Sequence, residues 1–168
     1  MSNVENFLDH TYHTYRVEAL EKVTETVLNF EQRLSEDIFG KYFSVEEIKQ
    51  RFVVPPDYLQ FIRGASFLAR DAGDGYPWFW VLGAEDTYKY TKSAYEEFTE
   101  DEEYHQLTKP PFMAIEIGGW SDKHVFFLSC DKAHHWGAVY DCHDSFMYDL
   151  GPYDISYESF LDLLQRGA

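Results

Sequence analysis

The sequence predicts an α+β fold, with N-terminal helices, a central mainly antiparallel or mixed sheet and a C-terminal helix. Three observations carry this. Apolar residues in the first third recur at helical spacing. The second half breaks into four short apolar segments separated by Gly, Asp, Ser and Lys. The last ten residues return to a helical pattern behind small polar residues. The 168 residues suit one domain. We place it at residues 15–168, with residues 1–14 as an N-terminal extension or short helix.

From Tyr15, the residues Leu20, Val23, Val27, Phe30 and Leu34 step by three or four and predict one apolar helical face, stopped near Gly40. "SVEEIKQRF" offers Ser44 as N-cap and Glu47 three residues on, a capping box. In "VVPPDYLQFIRGAS", Pro56 suits a first helical turn, and Leu59 and Ile62 make an apolar stripe broadened by Tyr58 and Phe61. Gly64 suits the residue just past the end. "ASFLARDAGDGYPWFWVLG" reads as strand, turn, strand, and "AEDTYKYTKSAYEEF" as a helix. "FMAIEI", "HVFFLS", "WGAVYDC" and "SFMYDL" are four further strands, and Ser156 is placed as the cap of a closing helix with Phe160, Leu161, Leu163 and Leu164.

The formal charge is −16 and the pI near 4.6. Phosphate backbones and anionic membranes repel such a chain, and there is no basic stripe, so neither nucleic acid nor membrane is an expected partner. Basic proteins are favoured instead. Residues 85–103 are the densest acidic stretch, with eight acidic and two basic residues. The absence of a signal-peptide pattern or long apolar run, together with only two cysteines, points to a cytoplasmic setting with free thiols.

The stretch "GGWSDKHVFFLSCDKAHHWGAVYDCHD" holds both cysteines and four of seven histidines, the residue types of a zinc site. There is no CxxC pair of the kind structural zinc requires. If Ser129 and Trp136 flank a hairpin loop, Cys142 faces Lys123, roughly 23 Å along the strand from Cys130, so the thiols share neither a disulfide nor a metal. The same register sets His124 opposite Asp141 and Asp122 opposite His143. These make either cross-strand polar pairs or an acid/base or metal corner. His134 and His135 fall in the loop. GxSxG, HExxH, GxxxxGK[ST] and GxGxxG are missing, and "DAGDG" lacks the spaced carboxylates and terminal Glu of an EF-hand. No catalytic residue, metal or cofactor is assigned.

The order of features resembles the SUKH superfamily, the cell-wall-regulator-like immunity proteins. In "VPPDYLQFIRGAS", Pro55, Pro56, Asp57, Tyr58, Phe61 and Gly64 occupy positions of the family's Pro-led aromatic helix. "YPWFWVLG" is similar to the strand that follows it. "FMAIEIGGWSDKHVFFLS" resembles the family's strand, Gly-rich turn and strand, with Gly118, Gly119 and Asp122 in the turn. "WGAVYDC" resembles the next strand, and "ISYESFLDLL" the closing helix with Phe160. The likeness runs over residues 15–168. It departs after Gly64, where "ASFL" replaces further Gly or Asn, and over residues 85–109, which do not align.

The resemblance implies a non-enzymatic bacterial immunity protein that binds and neutralises a cognate toxin domain, a basic nuclease being the class that fits the charge. Aromatic anchors would supply affinity and carboxylates the association rate. The contact candidates are Trp78, Trp80, Tyr88, Tyr95, Glu96, Glu97, Glu100, Asp101, Glu102 and Glu103. The alternative is a general protein-interaction or regulatory module of the same fold. The third reading is a metal-dependent enzyme using Asp122, His124, Asp141 and His143.

Overall fold

In the computed structural model, residues 4, 16–71, 77–100, 110–121, 123–143 and 155–167 are described. Six strands run in the order β1 (Arg16–Ala19), β2 (Ala65–Asp71), β3 (Pro77–Leu82), β4 (Ala114–Trp120), β5 (His124–Ser129) and β6 (Val139–His143). Every neighbouring pair is antiparallel. The helices are α1 (Glu25–Leu28), α2 (Phe30–Asp37), α3 (Val45–Arg51), α4 (Pro56–Gly64), α5 (Ala84–Glu100) and α6 (Phe160–Arg166), with a 3₁₀ turn at Phe39–Lys41. The α+β expectation holds, and the sheet is antiparallel throughout the described residues.

Several local readings change. The long helix predicted from Tyr15 is an edge strand, β1, then a helix that starts at Thr24, whose side chain accepts from Val27 N–H, and breaks at Asn29. Phe30 and Leu34 are buried as the spacing required, but Val23 is exposed. The helix stops at Asp37, and Gly40 lies inside the 3₁₀ turn. Strand β1 has only four residues, and pairing with β2 outweighed its weak helical spacing. Ser159 caps α6, accepting from Asp162 N–H, whereas Ser156 accepts from Asp141 N–H. Gly118 and Gly119 lie in β4 opposite Val81 and Trp80, and Ser121 and Lys123 are turn residues. Of residues 1–15 only Val4 is described, and it is packed in the core at 1% exposure. "SFMYDL" lies outside the described residues.

Other elements form close to the reading, except that Gly64 is the last residue of α4 rather than the one past its end and β6 starts at Val139 rather than Trp136. Ser44 and Glu47 make both bonds of the capping box on α3. On α4, Pro56 stands in the first turn, and Tyr58, Phe61 and Ile62 are buried. Phe61 and Phe160 approach to 5.5 Å, joining α4 to α6, and Phe79 meets Phe126 at 5.6 Å within the sheet. Cys130 and Cys142 are both buried and neither is in a disulfide, and Cys142 opposes Val125.

The β3–β4 pairing is short and decides what α5 can do. It covers only Phe79↔Trp120, Trp80↔Gly119 and Val81↔Gly118. On its other side β4 carries a register irregularity between Glu116 and Gly118, a kink of the kind that bends a strand. Beyond Gly118 the two strands diverge, and α5 side chains replace the missing partner. Thr91 Oγ1 accepts from Glu116 N–H at 3.0 Å. The Tyr95 hydroxyl donates to Ala114 C=O at 2.9 Å and accepts from Ala114 N–H at 3.3 Å. Tyr58 fixes the start of α5, its buried hydroxyl 2.8 Å from Leu82 C=O and 2.6 Å from Thr87 Oγ1.

Candidate functional site

Alternation along β3 sends Phe79 and Val81 into the core. Trp78 and Trp80 lie on the other side of the strand. Trp78 is 46% exposed and Trp80 half-buried. Phe67, opposite Leu82 across β2–β3, extends this aromatic surface. Polar residues usually occupy a solvent-facing sheet surface, so aromatics there require a reason.

Where β3 and β4 part, Phe67, Trp80, Leu82, Asp86, Tyr90 and Glu116 enclose a cavity of about 360 Å³. Each strand contributes wall residues, and α5 contributes Asp86 and Tyr90, one turn apart. Gly119 permits the tight packing of the Trp80 wall. A Cβ there would stand 2.7 Å from the indole and would also strike the His124 carbonyl. Burial, followed by the charge of Glu97, pushes the Glu116 carboxyl up to about 7. Among the described residues, no ion pair or side-chain hydrogen bond engages the carboxylate of Glu116 or Asp86.

The predicted contact residues separate into distinct groups. Trp78 and Trp80 are on the accessible face, and Glu96 and Glu97 are exposed on α5. Tyr95 is corrected: at 1% exposure, with its hydroxyl bound to Ala114, it is a core residue and offers no contact surface. Tyr88 is part-buried and engaged. Its hydroxyl donates to Asp37 Oδ2 at 2.6 Å, and the Arg33 guanidinium stands 4.4 Å from its ring centre, so it ties α5 to α2. The side chain of Glu100 and residues Asp101, Glu102 and Glu103 lie outside the described residues. Phe67, Leu82, Asp86, Tyr90 and Glu116 were not singled out from the sequence. The one visible signal was Glu116, an acid inside the apolar run "FMAIEI".

The His124 corner forms in another register. His124 opposes His143, and Asp141 opposes Phe126. Even so, His124 reaches diagonally to Asp141, with Nδ1 2.8 Å from Oδ1. The Trp120 indole N–H donates to the other Asp141 oxygen at 2.6 Å and stacks on His124 at 3.9 Å. His143 stands edge-on to His124 at 4.9 Å. Asp141 thus clasps β4, β5 and β6 together. Asp122 lies outside the described residues, and no group of three metal-ligating side chains forms among the described ones.

In the long hairpin loop, His135 is exposed, while His134 stacks on Phe112 at 4.0 Å. The same loop holds Asp131, fully buried and overlooked in the sequence. It accepts from Arg51 Nε at 2.9 Å, from a second Arg51 nitrogen, and from the backbone N–H groups of Ala133 and Met113. Burial alone would raise this carboxyl, but the Arg51 and backbone bonds hold it below the usual carboxylate range. It joins α3 to the loop. No helix of the described residues is long and apolar enough to cross a membrane. Comparison with known proteins finds no family model, curated protein or solved structure that matches this chain.

Proposed function

We propose that this chain is a non-enzymatic immunity protein of the SUKH type that binds and neutralises a toxin domain with a basic surface, a nuclease being the class its charge complements. The observation that carries this reading is the accessible aromatic face of β2 and β3 lying beside the acidic flank of α5. Trp78 and Trp80 supply anchor area, while Glu85, Asp86, Glu96 and Glu97 are exposed on the helix next to it. Such a face fits the anatomy of a tight heterologous interface, with aromatic anchors inside a charged rim. The acidic rim would steer a basic partner and speed encounter at low salt. Inhibition would follow from covering the toxin's substrate path.

Co-expression with a toxin encoded beside this gene tests the reading. Neutralisation and a stable complex are expected. The double variant Glu96→Lys/Glu97→Lys should slow association and flatten its salt dependence. A neighbouring toxin that is neither bound nor neutralised at micromolar concentration overturns the proposal. Recovery of a complex with a regulatory protein in its place would support the general interaction module.

A further inference from the structure

The cavity between the diverging strands and α5 combines features that seldom meet by chance. Three aromatic rings, Phe67, Trp80 and Tyr90, and the Leu82 side chain make apolar walls. Two carboxylate residues, Asp86 and Glu116, line the same space, and neither has an ion-pair partner among the described residues. Burying a carboxylate without a partner is costly, and the raised proton affinity of Glu116 is the sign of that cost. A cation with flat, weakly hydrated faces would satisfy rings and carboxylates together. Guanidinium has this shape: it stacks on aromatic faces and bonds carboxylates with directed N–H groups. A lysine ammonium is more strongly hydrated and loses more on entering an apolar pocket.

Among the described residues, no Arg or Lys lines the cavity. The Arg16 guanidinium lies 5.5 Å from the Phe67 ring centre, so this face already accepts such a group at its rim. Arg16 is held by Glu18 at 2.7 Å and Asp71 at 3.4 Å, away from the cavity carboxylates. Lys89 Nζ stands 5.8 Å from the Tyr90 ring and is not part of the lining. We infer that the cavity bounded by Phe67, Trp80, Tyr90, Asp86 and Glu116 is a receptor for an arginine side chain presented by a protein partner. The inference does not depend on that partner being a toxin. The cavity volume is at the small end for ligand sites, which suits a single side chain.

The test uses the full chain, isotope-labelled, and three probes: the N-acetyl, N-methylamide derivatives of arginine, lysine and citrulline. Binding is read from the Trp80 indole N–H resonance, identified by its loss in Trp80→Phe. Saturable millimolar binding of the arginine probe is expected, with the lysine probe about tenfold weaker. The citrulline probe, nearly isosteric but uncharged, should not bind. Asp86→Asn and Tyr90→Ala change exposed residues and leave the core intact, which a thermal melt verifies. Each should weaken arginine binding several-fold, and Glu116→Gln about tenfold. Trp78→Ala, outside the cavity, should have no effect. Guanidinium entry also favours the charged form of Glu116, so affinity should rise between about pH 6 and 8. Among the described residues, Asp86 and Tyr90 share the cavity lining with that carboxyl, and Glu97 adds its charge. Equal binding of arginine and citrulline overturns the inference. So does arginine binding that survives the combined Asp86→Asn and Tyr90→Ala change, or no saturation at all. Arginine binding without toxin neutralisation would remove the immunity reading alone, and neutralisation without arginine binding would remove this inference alone.

Discussion

Glu116→Gln should stabilise the protein at alkaline pH and leave it almost unchanged in acid. The Glu116 carboxyl sits where β4 leaves β3, walled by Trp80 and Leu82, and burial with Glu97 raises it from 4.5 to about 7. A raised carboxyl means the folded state holds its proton more tightly than the unfolded chain does. Below about pH 4.5 both states are protonated and there is no penalty. Between about pH 4.5 and 7 the unfolded chain releases its proton first, so stability falls as pH rises, and above about pH 7 the whole penalty is present. At about 1.4 kcal/mol per pH unit, the rise caps the penalty at about 3.5 kcal/mol. The cavity opens to solvent on one side, and water screens part of the charge, so about 1–2 kcal/mol is the expected gain for glutamine at pH 8. For a chain of this length that corresponds to roughly 2–8 °C in melting temperature. Urea unfolding of both proteins at pH 4.5, 6, 7 and 8 provides the measurement, because the other titrating groups cancel in the difference. Glu97→Gln should shrink the effect by removing the neighbouring charge. A pH-independent difference, or a glutamine variant less stable at pH 8, would refute the reasoning.

Three further outcomes follow from the packing. Asp131→Ala should cost about 1–3 kcal/mol in urea unfolding, because it leaves the Met113 and Ala133 backbone N–H groups without their acceptor, while Glu47 at 3.2 Å still holds Arg51. Asp131 is also held below the usual carboxylate range, so its contribution should be present above about pH 4 and fade in stronger acid. Gly119→Ala should cost about 1–3 kcal/mol and change Trp80 fluorescence, since the added Cβ displaces the indole; an unaltered emission spectrum would contradict the close approach. Tyr58→Phe should cost about 1–2 kcal/mol by removing the hydroxyl that bonds Leu82 C=O and Thr87, measured as a lower midpoint with unchanged slope.

Local features were the legible ones. The Ser44–Glu47 capping box, Pro56 in a first turn and the two strands at Ala65–Asp71 and Pro77–Leu82 depend on residues a few positions apart, which sequence spacing reports directly. The helix read from Tyr15 failed because Arg16–Ala19 has its partner in β2, some fifty residues on. Ser156 and Ser159 both suit an N-cap, and what separates them is that Asp141 N–H donates to Ser156 while Asp162 N–H donates to Ser159. The hairpin register was off by two residues, yet His124 still reached Asp141, because a diagonal neighbour lies within side-chain range.

By itself the sequence determined the fold class, the acidic charge and where most helices and strands lie, since periodicity and capping act within a few residues. Only the tertiary structure decided that Tyr95 is core while Trp78 is exposed. It also decided that Asp131 is buried on Arg51, and that Phe67, Trp80, Tyr90, Asp86 and Glu116 share one cavity. Those outcomes depend on how far β3 and β4 pair before they diverge. That distance is set by contacts between residues far apart in the chain, among them Gly118 and Gly119 against Val81 and Trp80.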